Sequence, residues 1–121
     1  MFLFSFTSIS SDENFIVLEE DGFFFIKESK SKNFISVNTF NNQRPKIKTV
    51  VKNKKFRLIY FEGGAAGTST QINHEMVAIF DSEKKEFHEK TYITKFIGLG
   101  PEAQPKLEIK ENKIIYSLPK N

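Results

Sequence analysis

The chain of 121 residues contains no cysteine and no tryptophan, and only two histidines. Without cysteine there is no disulfide, no thiolate nucleophile and no cysteine-ligated zinc or iron site. Two imidazoles are too few for a histidine-rich metal site, so we expect no metal and no cofactor. The absence of cysteine favours a cytoplasmic protein only slightly over a periplasmic or secreted one whose leader was removed before residue 1.

Long hydrophobic runs are also missing. The apolar start, residues 1–6, lacks a basic n-region and is too short for the core of a signal peptide. No run approaches the length of a transmembrane helix, so we expect a soluble protein. Phe2, Phe4 and Phe6 alternate with other residues, which predicts an edge or barrel strand. As an exposed edge, this strand could pair with a second copy to form a homodimer.

The chain is instead rich in phenylalanine, with 14 residues, and 39% of all residues are hydrophobic. That is enough core for a single domain over residues 1–121. Short apolar runs alternate with turn residues about every eight to twelve positions, and no run shows the 3.6-residue period of a helix. The predicted strands span residues 2–9, 15–18, 23–26, 34–40, 47–51, 56–61, 73–80, 87–97, 107–109 and 114–118.

The turns between these strands are short. Asp21-Gly22 is a strong hairpin signal because both residues tolerate positive φ, and residues 52–55 and 110–113 also have hairpin length. Strands joined without helical crossovers pair antiparallel. We therefore predict an all-β, single-domain antiparallel β-sandwich or small barrel of about eight to ten short strands. A short helix between residues 82 and 104 is compatible with this fold.

Three runs are apolar at consecutive positions, which predicts packing on both faces: residues 23–26, 56–61 and 76–80. Burying the three adjacent rings of Phe23, Phe24 and Phe25 requires neighbours on both sides of the strand. Residues 106–110 alternate between lysine or glutamate and an aliphatic residue, so that strand has one solvated face.

Charge is unevenly distributed along the chain. Residues 1–26 carry five acidic and no basic residues, whereas residues 27–57 carry ten basic residues and Glu28 alone. If residues 44–48 and 52–57 share a face, that face can steer an anionic partner. The simpler interpretation is that the basic segment 27–57 lies against the acidic first hairpin.

Each histidine precedes a glutamate, at His74-Glu75 and His88-Glu89. In a hairpin centred near residues 82–84, the partner of His74 is residue 91–93, which leaves His88 roughly 10–16 Å away along the strand. Consecutive strand residues point to opposite faces, so neither pair can chelate a metal together. We expect surface or strand-end histidines, and no catalytic residue.

A connector of small and hydroxyl residues follows the 56–61 strand. Its glycines allow close backbone approach, but it lacks the lysine of a phosphate-binding loop and the pattern of a nucleophile elbow. Because nine residues exceed what a hairpin needs, we predict a loop that contacts a partner protein. The predicted contact residues are Glu62, Gly63, Gly64, Ala65, Ala66, Gly67, Thr68, Ser69 and Thr70.

These features favour a non-enzymatic protein-binding module, such as an inhibitor or immunity-type antagonist of an enzyme or toxin. One alternative is a small barrel that binds an apolar ligand among its phenylalanines. A second is a hydrolase-like enzyme that uses Glu62 or His74 with the loop hydroxyls. Nucleic acid is not the expected partner, because lysine outnumbers arginine by 16 to 2 and the aromatic residues lie within strands.

Overall fold

The computed structural model describes residues 14–39, 43–66 and 72–119. The predicted strand over residues 2–9 lies outside this range, as does the end of the predicted 34–40 strand. The regular structure of the described part is ten strands and one 3₁₀ turn, Pro101–Ala103. The strands are β1 Phe15–Glu20, β2 Phe23–Glu28, β3 Phe34–Val37, β4 Lys46–Asn53, β5 Phe56–Ala66, β6 Ile72–Asp81, β7 Glu86–Phe87, β8 Tyr92–Ile97, β9 Lys106–Lys110 and β10 Lys113–Ser117.

The strands form three antiparallel sheets. The first sheet has the order β1-β2-β3, and the central sheet has the order β4-β5-β6-β7 with β8 also paired to β6. Strands β9 and β10 form a separate C-terminal hairpin. The all-β, antiparallel prediction is confirmed. The barrel alternative is not, because the sheets of the described residues remain open and enclose no barrel interior for an apolar ligand.

Alternation of side chains along the central sheet builds two cores. Ile59, Phe61 and Phe80 point to what we call its front face, where they pack against the first sheet. Leu58 and Ile79 point to the back face, where they pack against the C-terminal hairpin. The prediction that residues 56–61 and 76–80 are covered on both faces is therefore confirmed.

The prediction for residues 23–26 is wrong in part. Phe24 and Ile26 are buried against the central sheet, whereas the Phe23 side chain is 64% exposed. The first sheet is an outer layer, so its second face has no neighbour among the described residues.

The predicted strand over residues 87–97 is divided into β7 and β8. Phe87 pairs with Phe80, and a continuous hairpin would then have set residue 93 opposite His74. Residues 88–91 instead leave the ladder, and a bulge follows opposite Glu75 and Met76, so the observed partner of His74 is Phe96. The expected register was therefore wrong by three residues or more.

The turn after β1 has the predicted chemistry, since both Asp21 (φ 54°) and Gly22 (φ 84°) have positive φ. A Cβ added at Gly22 would meet no atom within 4 Å, so a larger residue is opposed by backbone conformation alone.

We therefore expect Gly22→Ala to lower the free energy of unfolding by about 1 kcal/mol, the cost of a left-handed conformation for an L-residue. Chemical denaturation of both proteins measures the difference. The change Asp21→Gly in the same turn should instead be neutral or stabilising, and the opposite order would contradict this explanation.

Candidate functional site

The predicted contact segment, residues 62–70, begins in strand rather than in an irregular loop. Strand β5 continues through Ala66 and β6 begins at Ile72, with Ala65 paired to Asn73 across a bulge. The prediction of a nine-residue loop is therefore wrong for residues 62–66, which extend the hairpin. The contact residues Gly67, Thr68, Ser69 and Thr70 lie outside the described residues.

Glu62 lies in a row of charges across the central sheet. Its cross-strand neighbours are Lys46 on one side and Glu75 on the other, and Glu75 in turn pairs with Lys95. The Lys48 ammonium donates to the Glu75 carboxylate at 3.0 Å. This hydrogen bond is the main cause that raises the pKa of Lys48. The lysines thus balance two glutamates that would otherwise repel each other.

The acid–base candidates are not brought together. The His74 side chain, 2% exposed, points to the front face beside Asn38 and Ile93, where a cavity of about 160 Å³ opens. Glu62 pairs directly with Glu75, the neighbour of His74, and therefore lies on the back face. The expectation of a surface position is wrong for His74. Its burial follows from its place in the ladder of β6.

His88 lies on the opposite side of the central sheet from His74. Its ring stacks on Tyr92 and its Nε2 is 2.8 Å from the Tyr92 hydroxyl. Burial, followed by the charge of Glu89, raises the pKa of Tyr92. Tyr92 also contacts the ring of Tyr116, whose hydroxyl donates to the Ile93 carbonyl at 2.7 Å. These contacts attach the C-terminal hairpin to the central sheet.

Three connections meet at one end of the molecule. The Ser82 backbone N–H and hydroxyl both donate to the Lys55 carbonyl, at 2.8 and 2.7 Å, which joins the β6–β7 turn to the β4–β5 turn. The Asn33 side-chain amide donates to the Lys85 carbonyl, which joins the β2–β3 connection to the same place. We call residues 28–33, 52–57 and 81–86 the basic end.

The basic end is strongly positive. It contains eight basic and four acidic residues, a net charge of +4, whereas the whole chain carries +3. The rest of the chain is therefore slightly negative. The basic residues are Lys30, Lys32, Lys52, Lys54, Lys55, Arg57, Lys84 and Lys85.

The structure modifies both interpretations of the basic segment 27–57, the shared positive face and the charge match to the acidic first hairpin. Residues 44–48 and 52–57 do not gather into one positive surface, because they lie at opposite ends of the eight-residue strand β4. In the described residues, the ion pair between this segment and the acidic first hairpin joins Arg44 to Glu19 at 3.5 Å, with both side chains more than half exposed. Most of the segment's charge gathers at the basic end with Lys84 and Lys85 instead.

The outward face of the first sheet is apolar. Phe23 and Phe34 are 64% and 60% exposed, and Phe25 contacts the ring of Phe34 edge-on with centroids 5.5 Å apart. An open cleft of about 300 Å³ lies between Leu18, Phe25 and Phe34. We call this surface the aromatic face, and its apolar residues are Ile16, Leu18, Phe23, Phe25 and Phe34.

Comparisons with protein-family models, curated proteins and solved structures found no match to this chain. Within residues 14–39, 43–66 and 72–119, no three histidine or carboxylate groups are arranged to hold a metal ion. The same residues form no helix that could cross a membrane. The described residues thus present two distinctive exposed surfaces, the charged basic end and the apolar aromatic face.

Proposed function

We propose that this protein is a non-enzymatic protein-binding module whose basic end docks on an acidic surface of its partner. The observation that supports the proposal is the convergence of three connections with a net charge of +4. A field of this kind raises the rate of encounter with an oppositely charged surface. An inhibitor or immunity-type antagonist of an enzyme with an acidic cleft is the form of this function that suits so small a domain.

The basic end is held in shape before any partner arrives. The buried Asp81 carboxylate accepts from the backbone N–H groups of Glu83 and Lys84, at 2.9 and 3.1 Å. Its other oxygen lies 3.3 Å from the Lys55 ammonium. Because the turns are anchored from inside, little backbone entropy is lost on binding, and the entropic cost falls mainly on the exposed lysine side chains.

The charges favour a protein over a nucleic acid as the partner. Seven of the eight basic residues are lysines, and only Arg57 offers the planar fork that reads phosphates and bases. Glu28, Glu83 and Glu86 lie among them and would repel a uniformly charged phosphate backbone. A protein surface of mixed charge can present a cation opposite each of these carboxylates.

The test neutralises one lysine near each connection, in the variant Lys30→Gln, Lys52→Gln, Lys84→Gln. Each of these side chains is exposed, so the fold should be retained. Immobilised wild-type protein should retain an acidic protein from extracts of the source cells, and the association rate should fall about tenfold in the variant. Raising the salt from about 50 to about 500 mM should have a similar effect.

The matched control neutralises three exposed lysines of the C-terminal hairpin, Lys106→Gln, Lys110→Gln, Lys113→Gln, with the same change in net charge. It should bind the partner as the wild type does. Equal binding by the two triple variants would refute the basic end as the contact surface. Loss of binding after nuclease treatment of the extract would refute a protein partner.

The predicted contact segment, residues 62–70, remains a second proposed surface for a protein partner. It is at the opposite end of β5 from the basic end, and the Glu62 side chain is exposed. Replacing Gly63 and Gly64 by larger residues tests it separately. Unchanged partner binding in that variant would remove residues 62–70 as a contact surface and leave the basic end unaffected.

A further inference from the structure

The aromatic face has a regular arrangement set by strand register. Outward-pointing residues form three rows across β1, β2 and β3. Glu20 lies beside Phe23 in the first row, and in the last row Lys27 lies between its neighbours on β1 and β3. The full rows are Glu20 and Phe23; then Leu18, Phe25 and Ser36; then Ile16, Lys27 and Phe34.

The two charged residues therefore lie at opposite ends of an apolar centre. Glu20 is level with Phe23, and Lys27 is four residues farther along β2, roughly 13 Å away at strand spacing. The acidic turn residue Asp21 directly follows Glu20 at the negative end. One face thus carries both signs of charge with phenylalanine and leucine between them.

We propose that the aromatic face binds the aromatic face of a second copy of this chain, with the strands of the two copies antiparallel. Two sheets can meet face to face about a two-fold axis either along the strands or across them. An axis along the strands brings Glu20 over the negative end of the other copy. An axis across the strands brings each Glu20 over the positive end of its partner copy. There Glu20 is offset sideways from Lys27 of the facing sheet by one strand spacing, about 4.8 Å. The charges therefore favour the arrangement with the two-fold axis across the strands.

The small size of the face indicates a weak dimer. Full burial of an aromatic side chain removes about 150–250 Å² from water, so the exposed fractions of the five apolar residues amount to roughly 400 Å² per copy. The two copies together would bury about 800 Å², which is below the roughly 1,200 Å² at which stable interfaces begin, so we expect a weak dimer that is populated at about 100 µM protein. In such a dimer the two basic ends point in opposite directions, which leaves both free to bind a partner.

The decisive experiment uses two charge-reversed variants, Glu20→Lys and Lys27→Glu, in analytical ultracentrifugation up to about 200 µM protein. In each variant alone, like charges meet at both ends of the interface, and self-association should weaken about tenfold. In an equal mixture, each new lysine faces a new glutamate and each remaining native residue faces its native partner. The mixture should therefore dimerise as strongly as the wild type.

Two further variants separate the face from other contacts. Phe34→Ser should abolish dimerisation while leaving the melting temperature almost unchanged, because the side chain is 60% exposed. The chain has no cysteine, so a single Ser36→Cys in the middle row is a clean reporter. Packed sheets lie about 10 Å apart, too far for a disulfide, so a short bismaleimide should link two copies through Cys at position 36 but not in the control Ser117→Cys.

A wild-type chain that stays monomeric at about 200 µM would overturn the proposal, whatever else covers the face. So would a dimer that Phe34→Ser leaves intact, or a mixture of the charge-reversed variants that fails to dimerise. None of these results bears on the basic end, because Lys30, Lys52 and Lys84 are unchanged in every variant used here.

Discussion

Phe80→Ala should lower the free energy of unfolding by about 3–5 kcal/mol, the largest effect we expect from a single substitution. The Phe80 side chain is 1% exposed and packs edge-on against Phe15 and Phe87, with ring centroids 5.5 and 4.9 Å apart. Truncation removes the link between the first sheet, the central sheet and β7. Thermal and urea denaturation measure the loss, expected as a fall of roughly 10–20 °C in melting temperature.

Phe23→Ala is the matched control, because it removes the same atoms from a side chain that is mostly in solvent. Its expected cost is below about 1 kcal/mol, since little apolar area returns to water. Similar losses in the two variants would mean that the first sheet does not pack on the central sheet as described.

Asp81→Ala should destabilise the protein by about 2–4 kcal/mol. The change leaves two turn N–H groups without their acceptor and the partly buried Lys55 ammonium without its carboxylate. Asp81→Asn keeps an oxygen that can accept from the N–H groups and removes only the charge. An intermediate loss for asparagine, measured by urea denaturation at neutral pH, would show that the turn and the ion pair both contribute.

The same carboxylate should make stability depend on pH. Burial acts to raise the pKa of Asp81, but the N–H groups of Lys84 and Glu83 and the Lys55 ammonium outweigh it, so the pKa lies below the ordinary 3.8. The native state thus favours the ionised form more than the unfolded chain does. The resulting stability is fully present above about pH 4 and is lost as the pH falls through the lowered pKa.

Denaturation of the wild type and Asp81→Asn from about pH 7 down to about pH 3 tests the sign. The advantage of the wild type should shrink as the solution is acidified below pH 4. A constant difference between the two proteins across this range would show that protonation of Asp81 is not linked to unfolding.

Local features were predictable from the sequence. Alternation with a period of two and the turn residues Asp21-Gly22 act over a few positions, so the hairpins were found close to their observed bounds. The apolar runs 56–61 and 76–80 correctly marked the central sheet because a strand covered on both faces has no position for a charge. The all-β class followed from these features alone.

Features that depend on neighbouring layers were not predictable. The run of Phe23, Phe24 and Phe25 resembles a strand that is covered on both faces. However, β2 lies in an outer layer, so the first and third of these side chains point away from the central sheet. The 87–97 run is continuous in the sequence, yet four residues leave the ladder within it. The first residues of the small-residue connector pair with β6, because backbone hydrogen bonding does not require large side chains.

The meeting of the basic turns at one end of the sheet could have been predicted from the sequence. In a series of antiparallel hairpins, successive turns alternate between the two ends of a sheet, so the turns after β4 and β6 share an end. This rule would have joined Lys54 and Lys55 to Lys84 and Lys85. It would also have separated the 52–57 cluster from residues 44–48, at the opposite end of β4.

The sequence by itself determined that this chain forms antiparallel strands, where most of them turn, and that disulfide and thiolate chemistry are absent. Those properties depend on residue type and on neighbours within a few positions. The tertiary structure alone decided that the domain has three layers, that phenylalanines remain exposed on its first sheet, and that eight basic residues gather at one end. These three features depend on which sheet faces stack and on which turns meet. Both are decided by contacts between residues that are far apart in the chain.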